Sequence, residues 1–214
     1  MPAAAPSALW VLNPNTTAAM TAAVQAQVRA LVPPGVAVHG STAQQGAPVI
    51  DSAGRFAAAA AALPAQVAAD VPPAAAVLLA CFGDPGLESL RGLRRPVAGL
   101  AEAAVAEAVA AGQRFAIVTA GAAWVPLLQQ RVADFGATPW LAGVFALPFN
   151  GLRLVQDPAG SRAALQAVVA QAERSGAQAL VLGGAAFAGL RDLVPTRLVL
   201  IEPVAAATRA LLRG

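Results

Sequence analysis

Short apolar runs alternate with alanine-rich stretches along almost the whole chain, and this alternation restricts the fold more than any other feature. It predicts parallel α/β architecture, with apolar runs as buried strands and alanine-rich stretches as helices. Strands are predicted at Leu9 to Leu12, Val36 to His39, Val77 to Ala80, Val97 to Gly99, Phe115 to Thr119, Trp140 to Ala146, Leu180 to Leu182 and Leu198 to Ile201. Helices are predicted at Thr16 to Leu31, Gly54 to Ala69, Pro85 to Gly92, Glu102 to Ala111, Val125 to Phe135, Ser161 to Ser175, Gly189 to Leu193 and Val204 to Leu212. In open parallel sheets, ligands sit beyond the carboxyl ends of the strands.

Composition narrows the function classes. Of 214 residues, 57% are hydrophobic, much of that alanine, so a core can be buried without implying a membrane protein. Residues 1 to 28 and Phe135 to Leu152 carry no charge. Asn13-Pro14-Asn15-Thr16-Thr17 interrupts the first stretch, and Pro139, Gly143, Pro148 and Asn150 interrupt the second, so neither reads as a membrane span. The first residues lack a basic region, apolar run and cleavage site, which makes a cytoplasmic location the expectation. All 14 Lys-or-Arg positions are arginine. Without lysine, neither a pyridoxal phosphate Schiff base nor a Walker-type phosphate loop can be built. One histidine and one cysteine do not make a nitrogen and sulfur metal site, and no cofactor is implied. His39, without a titratable neighbour, reads as a solvated strand end. The pI is about 10.9, but the net charge is only +3 and the arginines are scattered apart from Arg94-Arg95, so nucleic acid is not an expected partner.

The only cysteine, Cys81, lies in Ala74-Ala75-Ala76-Val77-Leu78-Leu79-Ala80-Cys81-Phe82-Gly83-Asp84-Pro85-Gly86-Leu87, where a strand gives way to a helix. With Gly83 turning the chain, Asp84 as N-cap and Pro85 in the first helical position, Cys81 would face free backbone N–H groups that favour the thiolate. A buried, inert core cysteine fits the same residues. A second segment, Leu180-Val181-Leu182-Gly183-Gly184-Ala185-Ala186-Phe187-Ala188-Gly189-Leu190, repeats the first at a constant offset, pairing Leu79 with Leu182, Gly86 with Gly189 and Cys81 with Gly184. As a repeat, it gives two lobes that present equivalent strand ends to one cleft. One strand end carries a thiol and the other a bare glycine.

Other candidates also follow strands. Asn13-Pro14-Asn15-Thr16-Thr17 supplies an Asx turn and helix cap, or an amide beside a helix N-terminus for a carboxylate or carbonyl. Thr119 closes a strand of the second half. Glu202 follows the last strand, as a solvated acid or as a partner for a substrate N–H. Trp10, Phe82, Trp124 and Phe187 are either core or cleft walls.

Asn13-Pro14-Asn15-Thr16-Thr17, Ala80-Cys81-Phe82-Gly83-Asp84-Pro85-Gly86-Leu87, Val118-Thr119 and Val181-Leu182-Gly183-Gly184-Ala185 together resemble the aspartate/glutamate/hydantoin racemase superfamily, closest to its hydantoin and allantoin racemase branch. The resemblance implies an α/β protein of two flavodoxin-like lobes with parallel sheets, related by pseudo-twofold symmetry, with the active site in the inter-lobe cleft. Residues 1–98 plus 203–214 would form the lobe carrying Cys81, and 99–202 the lobe carrying Gly184. It implies a cofactor-independent isomerase without a metal, acting on a small molecule with an acidic carbon beside a carbonyl, such as a 5-substituted hydantoin or an amino acid; a homo-oligomer is the common assembly of soluble enzymes in general. The site would comprise catalytic Cys81 and substrate-binding Asn13, Phe82, Gly83, Thr119, Ala120, Gly184, Ala185 and Glu202.

Such enzymes place one cysteine from each lobe on opposite faces of the substrate. Removing a proton beside a carbonyl leaves a planar carbanion, and inversion requires the new proton to arrive from the other face. Backbone N–H groups after Cys81 and Gly184 would stabilise the enolate oxygen. Gly184 stands where the second thiol is expected, and Ala120 and Gly121 lack hydroxyls that relatives often carry. The chain also looks like arylmalonate decarboxylase, in which a single cysteine faces a glycine, although here the thiol lies in the opposite lobe. Racemase, lyase and non-catalytic binding protein are therefore the three expectations.

Overall fold

The computed structural model describes residues 6–73 and 75–213. Ala74 and the outermost residues of the expected first lobe, 1–5 and 214, lie outside the described residues. The strands are β1 (Ala8–Asn13), β2 (Ala37–Thr42), β3 (Ala76–Leu79), β4 (Val97–Gly99), β5 (Phe115–Ala120), β6 (Leu141–Leu147), β7 (Ala179–Gly183) and β8 (Val199–Ile201). The helices are α1 (Ala18–Leu31), α2 (Ala53–Asp70), α3 (Leu87–Arg91), α4 (Leu100–Ala110), α5 (Trp124–Asp134), α6 (Gly151–Gln156), α7 (Arg162–Arg174) and α8 (Pro203–Arg213).

Two parallel sheets result, ordered β2-β1-β3-β4 and β6-β5-β7-β8. The second order repeats the first, which is the pseudo-twofold relation of two flavodoxin-like halves. Every residue of β3, β5 and β7 is buried, as strands covered on both faces must be, whereas the edge strand β2 alternates less cleanly and is largely exposed.

We propose the lobe division next to β4. Its last residue, Gly99, pairs with Leu79 in the first sheet, one residue beyond the expected boundary. Helix α8 packs on α1, β3 and β4, so the chain returns to the first sheet at its end. It also packs on α4, which touches β7, β8 and α5 of the second half. Alanine makes this joint possible: Ala101, Ala104 and Ala108 on α4 and Ala205, Ala206 and Ala207 on α8 are buried, and small side chains let the elements approach closely. One apolar cluster runs through both halves, joining Leu78, Leu100 and Ala104 to Ile117, Val181, Ile201 and Ala207. Arg209 Nη2 of α8 donates to both carboxylate oxygens of Glu107 of α4, at 2.9 and 2.6 Å.

Three local expectations are corrected. Helix α1 starts at Ala18, two residues later than predicted, because Asn13, Asn15 and Thr17 form a side-chain-bonded turn ahead of it. Gly189 to Leu193 is a turn followed by a single 3-10 turn, Arg191–Leu193, and α6 forms where no helix is predicted, capped by Asn150. Asp84 does not cap α3. Gly83 (φ 107°) and Asp84 (φ 57°) turn the chain inward, and the N-cap of α3 is Gly86 at φ 71°.

Candidate active site

The ends of β1, β3, β5 and β7 converge on a cavity of about 50 Å³. From β3 come Ala80, Cys81 and Phe82, from β5 Thr119 and Ala120, and from β7 Gly183, Gly184, Ala185, Ala186 and Phe187. Asn15, Met20, Val49, Ile50, Trp124 and Gly151 complete the lining. Of the expected site residues, the structure thus brings Cys81, Phe82, Thr119, Ala120, Gly184 and Ala185 to one space. Asn13, Gly83 and Glu202 do not line it.

Contacts between the halves hold this arrangement. A Cβ on Gly183 would lie 3.0 Å from the Phe82 ring and 2.6 Å from Ile117, so glycine there lets the tip of β7 meet the residue after Cys81. Phe56 of α2 meets Trp124 of α5 edge-on, with ring centroids 6.3 Å apart. Gly83 lies under that pair: a Cβ would sit 2.9 Å from Trp124 and 3.3 Å from Phe56, and φ there is also left-handed. Its carbonyl accepts a 2.9 Å hydrogen bond from Arg131 Nε of α5. Gly83 is therefore a hinge point of packing, not a wall of the cavity.

Cys81 is buried, and its Sγ makes only a long 4.0 Å contact to the Phe82 carbonyl. Burial, then the charge of Asp84, push its thiol well above the ordinary range. This corrects the expectation of a helix-stabilised thiolate, since α3 has only five residues and begins six positions after Cys81. Asp84 instead reaches α4, where its carboxylate accepts from the backbone N–H of Ala101 at 3.1 Å and Glu102 at 2.8 Å. Gly99 makes room, because a Cβ at that position would overlap the Asp84 carboxyl. Burial raises the Asp84 pKa to about 7, with the two N–H donors and Arg131 opposing the rise. Both effects on Cys81 favour the thiol over the thiolate.

Asn13 is consumed by the turn after β1. Its amide nitrogen donates to Asn15 Oδ1 and Thr21 Oγ1, both at 3.0 Å, and its Oδ1 accepts from the Asn15 N–H. Asn15 is the residue that reaches the cavity. Its Oδ1 is engaged by Asn13 and by the Thr17 N–H, while its amide nitrogen has the Met20 sulfur, a weak acceptor, at 3.6 Å. That leaves Asn15 with donor capacity for a carbonyl. The sequence presents Asn15 within the turn motif, as a cap or amide, without singling it out for the site, and gives no reading of Met20, Val49, Ile50 or Gly151 as site residues. Val49-Ile50 is an apolar pair inside a Pro/Gly loop, the one signal that could have found it.

Gly184 adopts φ 165° and ψ 144°, extended backbone open to any residue. A Cβ there would meet the Phe187 ring at 3.3 Å and little else. Glu202 lies in an adjoining smaller space and accepts from Gln27 Nε2 and Arg191, each at 3.0 Å. His39 is exposed and stacks on Trp10 with centroids 4.7 Å apart. Among the described residues, no three His, Cys, Asp or Glu side chains gather as metal ligands, and no helix is long and apolar enough to cross a membrane.

The family model for Asp/Glu/hydantoin racemase matches residues 9–211. The chain belongs to that racemase family. Among curated racemases it is 33% identical to a hydantoin racemase of Rhizobium meliloti over 209 residues, covering 94% of this chain and 86% of the relative. It is 32% identical to a hydantoin racemase of Paenarthrobacter aurescens, covering 94% and 88%. The allantoin racemase structure from Pseudomonas fluorescens superposes with a TM-score of 0.85 at 30% identity, covering 95% of this chain and 88% of that one. These relatives support the racemase expectation, and the decarboxylase expectation draws nothing from them.

Proposed function

We propose that this racemase-family chain moves the proton on the carbon next to a carbonyl in a small 5-substituted hydantoin, with Cys81 as the acid and base for one face. The observation that carries this reading is the position of the sole thiol. It follows a strand end in a two-lobed fold and lines the same cavity as its symmetry-equivalent, Gly184. Proton transfer by a positioned side chain contributes on the order of 10²–10⁴ in rate.

The surrounding groups fit an imide better than an amino acid. The cavity is lined mostly by apolar side chains and, among the described residues, by no arginine to take a free carboxylate, whereas the Asn15 amide and the backbone N–H groups after Cys81 and Gly184 suit carbonyl oxygens that gain charge. Thr119 also lines the cavity. The small volume of the cavity, about 50 Å³, favours compact substituents. A cytoplasmic location and a homo-oligomeric state complete the proposal.

Proton NMR in deuterated water tests it with a panel of 5-substituted hydantoins, amino acids and disubstituted malonates. Loss of the ring C5 proton signal from hydantoins, with loss of optical rotation, is the expected result. Exchange confined to amino acids, or release of carbon dioxide from a malonate, would replace the substrate assignment.

A further inference from the structure

Behind Gly184 lies a second, smaller space of about 10 Å³, bounded by Gln27, Leu182, Glu202 and Val204. Gly184 and Phe187 line both spaces, and of these two shared residues Gly184 has no side chain to separate them. About 10–15 Å³ is what one water needs, together with at least two polar partners. Both partners are present. The Glu202 carboxylate is one, and Gln27 Oε1 is the other: it is buried and accepts no hydrogen bond, because its amide is oriented by Nε2 donating to Glu202.

We propose that Glu202, acting through one water seated behind Gly184, exchanges protons with the substrate face opposite Cys81. The inference rests on the hydantoin reading above and supplies the second face that a single thiol cannot serve. In one direction the C–H bond on the Gly184 side breaks and its proton passes to the water oxygen. The same water gives a proton to the Glu202 carboxylate, and the carbanion's electron pair takes the S–H proton of Cys81 from the other side. The carbon is inverted, leaving a carboxylic acid and a thiolate, which is the state required for the opposite enantiomer. Arg191, paired with Glu202 and 64% exposed, marks the solvent side from which the carboxylate re-equilibrates. Glu202 is thus a positioning and relay residue, and the water is the group that touches substrate.

The test measures inversion by chiral chromatography and C5 exchange by NMR on the same samples. Glu202→Gln is expected to lower inversion about 10²-fold while exchange with retention, made by Cys81 alone, persists. Gly184→Cys puts a thiol on the second face, so the double variant Glu202→Gln with Gly184→Cys should invert as fast as Gly184→Cys alone. Glu202→Asp, which keeps the carboxylate and its charge, should fall between the wild type and Glu202→Gln and serves if the latter does not fold. Inversion within twofold of wild type in Glu202→Gln overturns the relay, as does a parallel fall of exchange and inversion that Gly184→Cys does not repair. An unchanged inversion-to-exchange ratio in Glu202→Asp, if only that variant folds, also overturns it. Cys81→Ala reports separately: undiminished exchange there of the enantiomer that Glu202→Gln still exchanges sinks the assignment of Cys81 as acid and base, and not the relay alone.

Discussion

A buried thiol beside a carboxylate keeps its proton, and this governs how Cys81 reacts. Alkylation by iodoacetamide should be slow at pH 8 and should accelerate in Asp84→Asn, which removes the like charge but retains an oxygen for the α4 donors; equal rates would mean that Asp84 does not act on the sulfur. Asp84 also makes folding pH-dependent. Its pKa is raised from 3.8 to about 7, so between those values the folded chain binds more protons than the unfolded one. Its contribution to stability is present below pH 4 and is lost as pH rises through about 7, by up to roughly 4 kcal/mol. Urea midpoints should therefore fall from pH 4.5 to 7.5 in the wild type and stay flatter in Asp84→Asn. The position of Cys81 was legible because it follows an apolar run. Its electrostatics were not, because they depend on two left-handed residues, Gly83 and Asp84, that send a side chain to a helix after the next strand. Asp84-Pro85 reads as a cap in sequence, and nothing local distinguishes capping α3 from capping α4.

At the scale of elements, two glycines decide how α3 and α4 sit against the first sheet. Gly86 has left-handed φ, and a Cβ there would lie 3.0 Å from the Ala60 carbonyl of α2. Ala60 is one turn before Pro64, which has no N–H to offer that carbonyl, so the backbone can be approached closely there. Gly99→Ala would displace the Asp84 carboxyl from the α4 N–H groups. We expect each alanine substitution to cost about 1–3 kcal/mol, measured as a urea midpoint shift at constant slope. Gly112→Ala, with φ of similar sign but open space around it, isolates the backbone part and should cost less than Gly86→Ala. The strands were readable because buried parallel strands are apolar without interruption, as β3, β5 and β7 are. Helix α6 was not readable: six residues span fewer than two turns and carry too little periodicity. The turn after β1 was read as a motif, but which asparagine faces the cavity depends on hydrogen bonds that Asn13 makes to Thr17 and Thr21 of the following segment.

The whole molecule is two repeated halves joined by apolar packing more than by ion pairs. Ala104→Leu or Ala207→Leu in the joint should lower stability by about 1–3 kcal/mol through overpacking. Arg209→Ala, which removes a half-exposed pair with Glu107, should cost less than about 1 kcal/mol. A reversal of that order in chemical denaturation would assign the joint to electrostatics. The repeat in sequence pointed to equivalent places for Cys81 and Gly184, but the shape of their shared cavity arises from contacts such as Phe82 on Gly183 and Phe56 on Trp124, which no single segment encodes. The central claim is that this sulfur moves the substrate proton. Its most direct measurement is C5 deuterium exchange by Cys81→Ala beside the unaltered protein, followed on the enantiomer of a 5-substituted hydantoin whose C–H faces the sulfur, the one that Glu202→Gln still exchanges. The account predicts a fall on the order of 10² or more, and exchange within twofold of the unaltered protein would contradict it.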